Sequence, residues 1–334
     1  MDRFYDNTRL SAFKRCPRYF YFRHVRHWTP SGTSAALVFG SSWHAAMDAL
    51  WPILCSPDKF TNCELSSIAD AAIDAFDANW VENGFTSMKD MGPDEANRLT
   101  PRIPGVALEM LYEYIEARTK MLLSTDFELL AVEPPFAVPL DPDDETLFYV
   151  GRLDKVFKYR GKIYVGEHKT TTAYKKDGPF RANFLDSFSP NAQIDGYLHA
   201  VHMLYGEKAK AVWVDAALVH KTVHDGFSII PVERKFAQID AWLWDTRRWV
   251  DVVETEAKIY EDIGQKADNL PYLPAYPKNT NSCMDYGGCP YSSLCKMWGN
   301  PEGQDCPSGF VEERWSPFDE LKLSELGMKD AKDE

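Results

Sequence analysis

Long apolar runs are missing from this 334-residue chain. Uncharged stretches such as 197–205 reach about half of the ~20 residues that a bilayer-spanning helix requires, which excludes a helical membrane class. An apolar leader is missing too: Met1-Asp2-Arg3-Phe4 opens without an h-region or a small-residue cleavage site, so the chain is expected in the cytoplasm. Cysteine is sparse and odd in number, seven in all, which without an export leader fits thiols or metal ligands better than a disulfide framework. Repeats, low-complexity runs, a P-loop and a Gly-rich nucleotide fingerprint are all absent. Any nucleotide-driven motor must therefore come from a partner, and an iron-sulfur redox protein would lack its second electron carrier. What is present is 45% hydrophobic and 26% charged residues with 19 Gly and 21 Pro, the profile of a soluble globular protein of one large or two ordinary domains.

The net charge of −13 argues against a polyanionic partner, but the charge is unevenly placed. Residues 1–30 carry seven Lys/Arg against two acids, and residues 152–181 carry nine against three. Such stretches suit either a nucleic-acid groove or ordinary solvated faces. The first also holds Phe13, Tyr19, Phe20, Tyr21, Phe22 and Trp28, a mixture that can stack bases or simply pack as an amphipathic helix.

Five regions are expected. Residues 1–39 form a basic N-terminal arm. Residues 40–126 are mainly helical, with Leu108, Leu111, Tyr112 and Ile115 spaced three and four apart. Residues 127–234 alternate as strands around one helix near Ala192–Tyr205. Residues 235–310 hold a further helix and a Pro-, Gly- and Cys-rich segment, and 311–334 form an acidic tail. The run Asp141-Pro-Asp-Asp-Glu145 lacks the Gly and spacing of a calcium loop and reads as a solvated turn.

The most informative stretch is 147–170, where LFYVGRLDKVFKY and KIYVGEHKT flank Arg160-Gly161 in a hairpin pattern. With Arg160 and Gly161 as the loop, Tyr159 faces Lys162, Val156 faces Val165 and Asp154 faces Glu167, the last pair with Cβ atoms about 4.5–5.5 Å apart. Lys169 shares their face, as do Val150, Val156, Ile163 and Val165, because strand side chains alternate. Opposed carboxylates at the end of an apolar surface need a compensating cation. A divalent metal such as Mg²⁺ or Mn²⁺ would supply it, with the lysine beside the water that the metal acidifies. A Glu-Lys ion pair on an exposed hairpin of different register is the alternative.

Taken in order, Gly40-Ser-Ser-Trp-His44, Glu133, Gly151-Arg-Leu-Asp154, Glu167-His-Lys169-Thr170 and Gln193-x-x-x-Tyr197 resemble the PD-(D/E)XK nuclease superfamily in its RecB-like branch. The resemblance implies an α/β fold, a mixed central sheet flanked by helices, with a helical insertion after His44 and a cysteine-rich clasp. It implies Asp154, Glu167, His44 and the backbone carbonyl of His168 as metal ligands, and Lys169 as the group that positions the attacking water. Gln193 and Tyr197 would organise the site and contact DNA, and Arg152 and Lys175 would take phosphates. Leu153 stands where the family has Pro, and Glu167 where RecB-like members usually have Asp. Glu133 is left outside the ligand set as a residue before the Pro134-Pro135 break.

Cys283, Cys289 and Cys295 are separated by five intervening residues each, among Gly287, Gly288 and Pro290, a turn-rich arrangement that points to metal ligation. RecB-like exonucleases with an iron-sulfur cluster pair three such cysteines with one upstream, and Cys16 in SAFKRCPRYF resembles that upstream site. The resemblance thus implies a [4Fe-4S] cluster on Cys16, Cys283, Cys289 and Cys295 that closes a ring around the core. A zinc site using Cys306 in place of Cys16 is the rival. Cys55 and Cys63 read as buried or free thiols.

The activity implied is metal-dependent cleavage of DNA from a single-stranded or free end, in recombination, repair or end processing, in the cytoplasm or at the nucleoid, with a helicase or recombination partner and a viral source left open. The alternative is a non-catalytic iron-sulfur DNA-binding subunit that keeps the nuclease fold.

Overall fold

The computed structural model describes residues 3–316 except 176, 177, 179, 264–266 and 268, together with 321, 323–326 and 328. Most of the acidic tail expected at 311–334 therefore lies outside the described residues. Among those described, no helix is long and apolar enough to cross a membrane.

The chain divides into two compact units, one of residues 33–134 and 152–235, the other of 1–32, 135–151 and 236–334. The first is a mixed sheet with helices. Its strands β1 (Phe127–Val132), β2 (Lys155–Tyr159), β3 (Lys162–Thr171), β4 (Ala209–Leu218) and β5 (Phe227–Val232) lie in that order, with β3 and β4 parallel and the other neighbours antiparallel. Helices α1 (Ala35–Leu54), α2 (Leu65–Glu82) and α3 (Pro104–Leu122) bury Trp43, Leu50, Phe76, Trp80 and Leu111 in a core that takes in Phe127 and Phe157 from the sheet. Ser34 caps the start of α1, and side chains at 44, 48 and 51 on that helix share a face by helical spacing.

The hairpin register is the expected one: Tyr159 pairs with Lys162, Val156 with Val165 and Lys155 with Gly166. Arg160 and Gly161 both take positive φ, 48° and 78°, as a two-residue turn between twisted strands demands. The first β-rich run, however, is not one strand. It breaks at Leu153-Asp154, and its first half, Leu147–Arg152, pairs in a separate three-stranded sheet with Arg3–Tyr5 and Pro135–Pro139. Val150 therefore does not share the face of Val156, Ile163 and Val165. Backbone bonds to another segment make the break: Leu153 N donates to Pro134 O (3.1 Å) and Glu133 N donates to Asp154 O (2.8 Å).

Helix α4 spans Ala192–Tyr205, capped by Asn191, whose side chain accepts from Gln193 N and Ile194 N. It buries Ile194, Leu198 and Val201. In the other unit a long helix, Phe236–Asp262, accompanies the basic arm and the cysteine-rich segment. All but one of the arm's aromatics named above are core: Phe13, Phe20, Tyr21, Phe22 and Trp28 are buried, and Tyr19 alone is half-buried. Tyr21 and Phe20 pack on Tyr276, and Phe22 stacks on Tyr291. Segments distant in sequence cover what looked like a stacking strip.

Candidate active site

Asp154 lies one residue beyond the paired part of β2, and Glu167 and Lys169 lie on β3. His44 comes from the middle of α1 and Gln193 from the first turn of α4. His168, between Glu167 and Lys169, points to the opposite face. There it is fully buried, with its ring 5.4 Å from that of Trp51.

These groups form a path in two hydrogen-bonded parts, His44 with Asp154 and Glu167 through Lys169 to Gln193, which the backbone of residues 167–168 joins. His44 Nδ1 is 3.2 Å from Asp154 Oδ2, and the same oxygen accepts from the His168 amide at 2.8 Å. Glu167 Oε1 pairs closely with Lys169 Nζ, which also donates to Gln193 Oε1 at 3.1 Å. Gln193 Nε2 in turn donates to Tyr197 Oη at 3.0 Å. Burial and then the nearby charge of Asp154 push the Glu167 carboxyl up to about 7. Burial works in the same direction on Asp154, but the charge and hydrogen bond of His44 outweigh it and hold that carboxyl well below the usual range. The His44 imidazole is raised: burial opposes this, and Asp154 prevails. Lys169 is raised because Glu167 outweighs burial, so it stays an ammonium. Burial pushes His168 down to about 3, which keeps its ring neutral.

A cavity of about 690 Å³ opens onto this path and is lined by His44, Lys169, Asp48, Glu133, Asn79 and Thr170, among others. Glu133, set aside on sequence grounds, reaches the cavity and pairs with Arg152 Nη1 at 3.0 Å. Arg152 is thus engaged by a carboxylate. Lys175, exposed, pairs through its backbone with Gly178 in an isolated bridge. Two further residues escaped sequence reasoning. Asp48, one helical turn after His44, forms a close ion pair with Lys155, which follows Asp154 and is fully buried. The spacing 44–48 on a helix and the adjacency 154–155 were the available signals.

No three His, Cys, Asp or Glu side chains among the described residues form a closed ion site. The donor set nevertheless suits a hard divalent cation. Glu167 Oε2 is buried and has no hydrogen-bond partner among the described residues, and the bonds to Asp154 all fall on Oδ2, leaving Oδ1 clear of them.

In the other unit Cys16, Cys283, Cys289 and Cys295 line a single cavity of about 640 Å³, and Cys306 is not among its lining residues. Cys16 reaches it because Asn279 N donates to Cys16 Sγ (3.2 Å), while Asn279 Nδ2 and Ser282 Oγ both hold Arg15 O at 2.8 Å. Burial raises the thiols of Cys289 and Cys295. Arg15 opposes this at Cys289, and Lys278 and Arg18 oppose it at Cys295.

Two carboxylates and a lysine stand together at the end of a central hairpin, and the lysine is bonded to a helix glutamine. The chain belongs to the PD-(D/E)XK nuclease superfamily, whose sequence pattern it matches over residues 7–296. Among solved structures it is similar to a protein from Eubacterium rectale named as a candidate exonuclease. That match has 14% identity and a TM-score of 0.44, over 74% of this chain and 80% of the other. No protein of curated function matches the sequence.

Proposed function

We propose that this protein is a Mg²⁺- or Mn²⁺-dependent deoxyribonuclease of the RecB-like branch, acting as an exonuclease on a single-stranded end. The observation that carries the catalytic reading is the connected path His44–Asp154 and Glu167–Lys169–Gln193, with one oxygen of each carboxylate left over for a cation. His44, Asp154, Glu167 and the His168 carbonyl would hold the ion. When bound, it would acidify a water and offset phosphate charge.

The chain's own residues do the rest. Lys169, kept protonated by Glu167, orients the attacking water and the phosphate oxygens, and it is itself aimed by Gln193. Tyr197 fixes Gln193. Arg152 and Lys175 are assigned to phosphate contact, Arg152 by exchanging Glu133 for the substrate backbone. The preference for a free end and the branch assignment rest on the order of the sequence motifs. A motor protein would supply translocation, and recombination, repair or end processing is the setting.

In the same reading Cys16, Cys283, Cys289 and Cys295 hold a [4Fe-4S] cluster. The four thiols line one cavity, and the Asn279 amide directed at Cys16 Sγ suits a thiolate ligand. Its role is to tie the N-terminal arm to the C-terminal segment, since ligation adds to the folding free energy of the segments it joins. The lining set favours this over zinc on Cys306.

The test is degradation of end-labelled single-stranded and duplex DNA with Mn²⁺ or Mg²⁺, comparing anaerobically purified protein with Lys169→Ala. Metal-dependent loss that disappears in the variant supports the nuclease, and stepwise shortening of the label supports the exonuclease. DNA binding without cleavage by metal-replete wild type would replace it with the non-catalytic subunit.

A further inference from the structure

We propose that the Asp48–Lys155 ion pair is a positioning device, which holds helix α1 against strand β2 so that His44 and Asp154 stay together at the cavity where they would hold a divalent cation. This rests on the reading of His44 and Asp154 as metal ligands. The two residues of each element are coupled by spacing: Asp48 lies one helical turn beyond His44, and Lys155 directly follows Asp154. The same helix and strand segment are thus joined by two polar rungs, His44 Nδ1 to Asp154 Oδ2 at 3.2 Å and Asp48 Oδ1 to Lys155 Nζ. One rung fixes a single point on the helix and leaves its rotation to apolar packing alone, which has little directional preference. Two rungs, continued by Trp51 packing on Phe157 and His168 from the same helical face, fix both its rotation and its height.

The Lys155 side chain is fully buried, whereas Asp48 keeps 25% of its side chain exposed at the cavity, and an ion pair of which one partner must be desolvated gains little net stability over apolar side chains of similar shape. What an ion pair adds is a directional constraint. Lys155 also engages the one carboxylate of α1 that reaches the cavity beside His44, so that Asp48 does not compete for the ion.

The experiment measures Mn²⁺ binding to the full chain without DNA, by titration calorimetry and by the spin-resonance signal of free Mn²⁺, together with thermal unfolding and kcat and KM on single-stranded DNA. The double variant Asp48→Leu/Lys155→Met is expected to unfold near the wild-type temperature. It should bind Mn²⁺ about 10–100-fold more weakly, the usual effect of losing a group that orients a metal ligand, and kcat should fall while KM holds. Wild-type Mn²⁺ affinity in a stably folded double variant would overturn the proposal. Should the double variant fail to fold, Lys155→Met decides by the sign of its effect. Weaker binding supports positioning, whereas tighter binding means that Asp48 is a ligand or that Lys155 merely repels the ion, and the proposal falls. Failure of the underlying reading looks different: wild type would bind no Mn²⁺, or His44→Ala would bind it unchanged.

Discussion

The amide nitrogen of His168 donates to Asp154 Oδ2 over 2.8 Å, so the backbone of one hairpin strand holds the carboxylate of the other. Pairing of the two strands ends at Lys155 and Gly166, and this bond continues the ladder through a side chain. The orientation of Asp154 is therefore set by the same three residues that carry Glu167 and Lys169, and a change in the path of β3 moves all of these groups together.

Glu167→Ala should abolish cleavage while leaving the fold and DNA binding in place. The residue's Oε2 has no hydrogen-bond partner among the described residues and its carboxyl is buried, so removing it relieves a desolvation cost. Thermal unfolding beside a nuclease assay checks this. Collapse of the fold would mark the residue as structural.

Lys169→Ala should lower kcat by about 10²–10³-fold, the range for loss of one preorganised donor that meets developing charge. Gln193→Ala, which frees Lys169 without removing it, should cost roughly tenfold, the worth of one hydrogen bond to a charged group. Single-turnover rates at saturating Mn²⁺ separate the two.

Metal affinity should rise with pH through the range in which Glu167, near 7, and the raised His44 imidazole lose their protons. Glu167 titrates near 7 when folded, above its unfolded value, so the folded metal-free protein keeps a proton that the unfolded chain has lost. Its stability therefore falls as pH rises from the usual carboxylate range to 7. Asp154 acts oppositely: its contribution is present above the unfolded carboxylate value and lost as pH drops below it. Mn²⁺ must displace the Glu167 proton and that of the raised His44 imidazole. Calorimetry near pH 6 in buffers of differing ionisation enthalpy should thus show about one to two protons released per ion.

Cys16→Ala should remove iron and sulfide from anaerobically purified protein and lower its thermal stability, whereas Cys306→Ser should leave both unchanged. Elemental analysis reads the result directly. Stoichiometric zinc without iron would refute the cluster.

Asp215→Asn should destabilise the protein by about 3–5 kcal/mol, because it strips the partner from a nearly buried Arg118. Asp215 also accepts from Tyr114 Oη (2.6 Å), which itself accepts from Trp51 Nε1 (2.9 Å), so Tyr114→Phe should cost a smaller ~1–3 kcal/mol. Urea unfolding of the metal-free protein measures both.

Local pattern alone determined the hairpin and its register, the helix Ala192–Tyr205 and the mainly helical stretch before them. Alternation, a turn with a glycine in the left-handed region, and three-four spacing act between residues close in sequence. The placement of Asp154 opposite Glu167 and of Lys169 beside them follows from that register. Tertiary structure decided the rest. Leu153-Asp154 is a break because Pro134 and Glu133 bond there, and the glycine before it is needed because a Cβ on Gly151 would come within 2.6 Å of the Phe136 ring. Asp48 meets Lys155 and Glu133 meets Arg152 only when separate elements are packed. The aromatics of the basic arm had two outcomes open to them, and contacts with Tyr276 and Tyr291 chose burial. Neighbours on separate elements cannot be read from period or propensity, since burial and ion pairing depend on which surfaces the folded chain brings together.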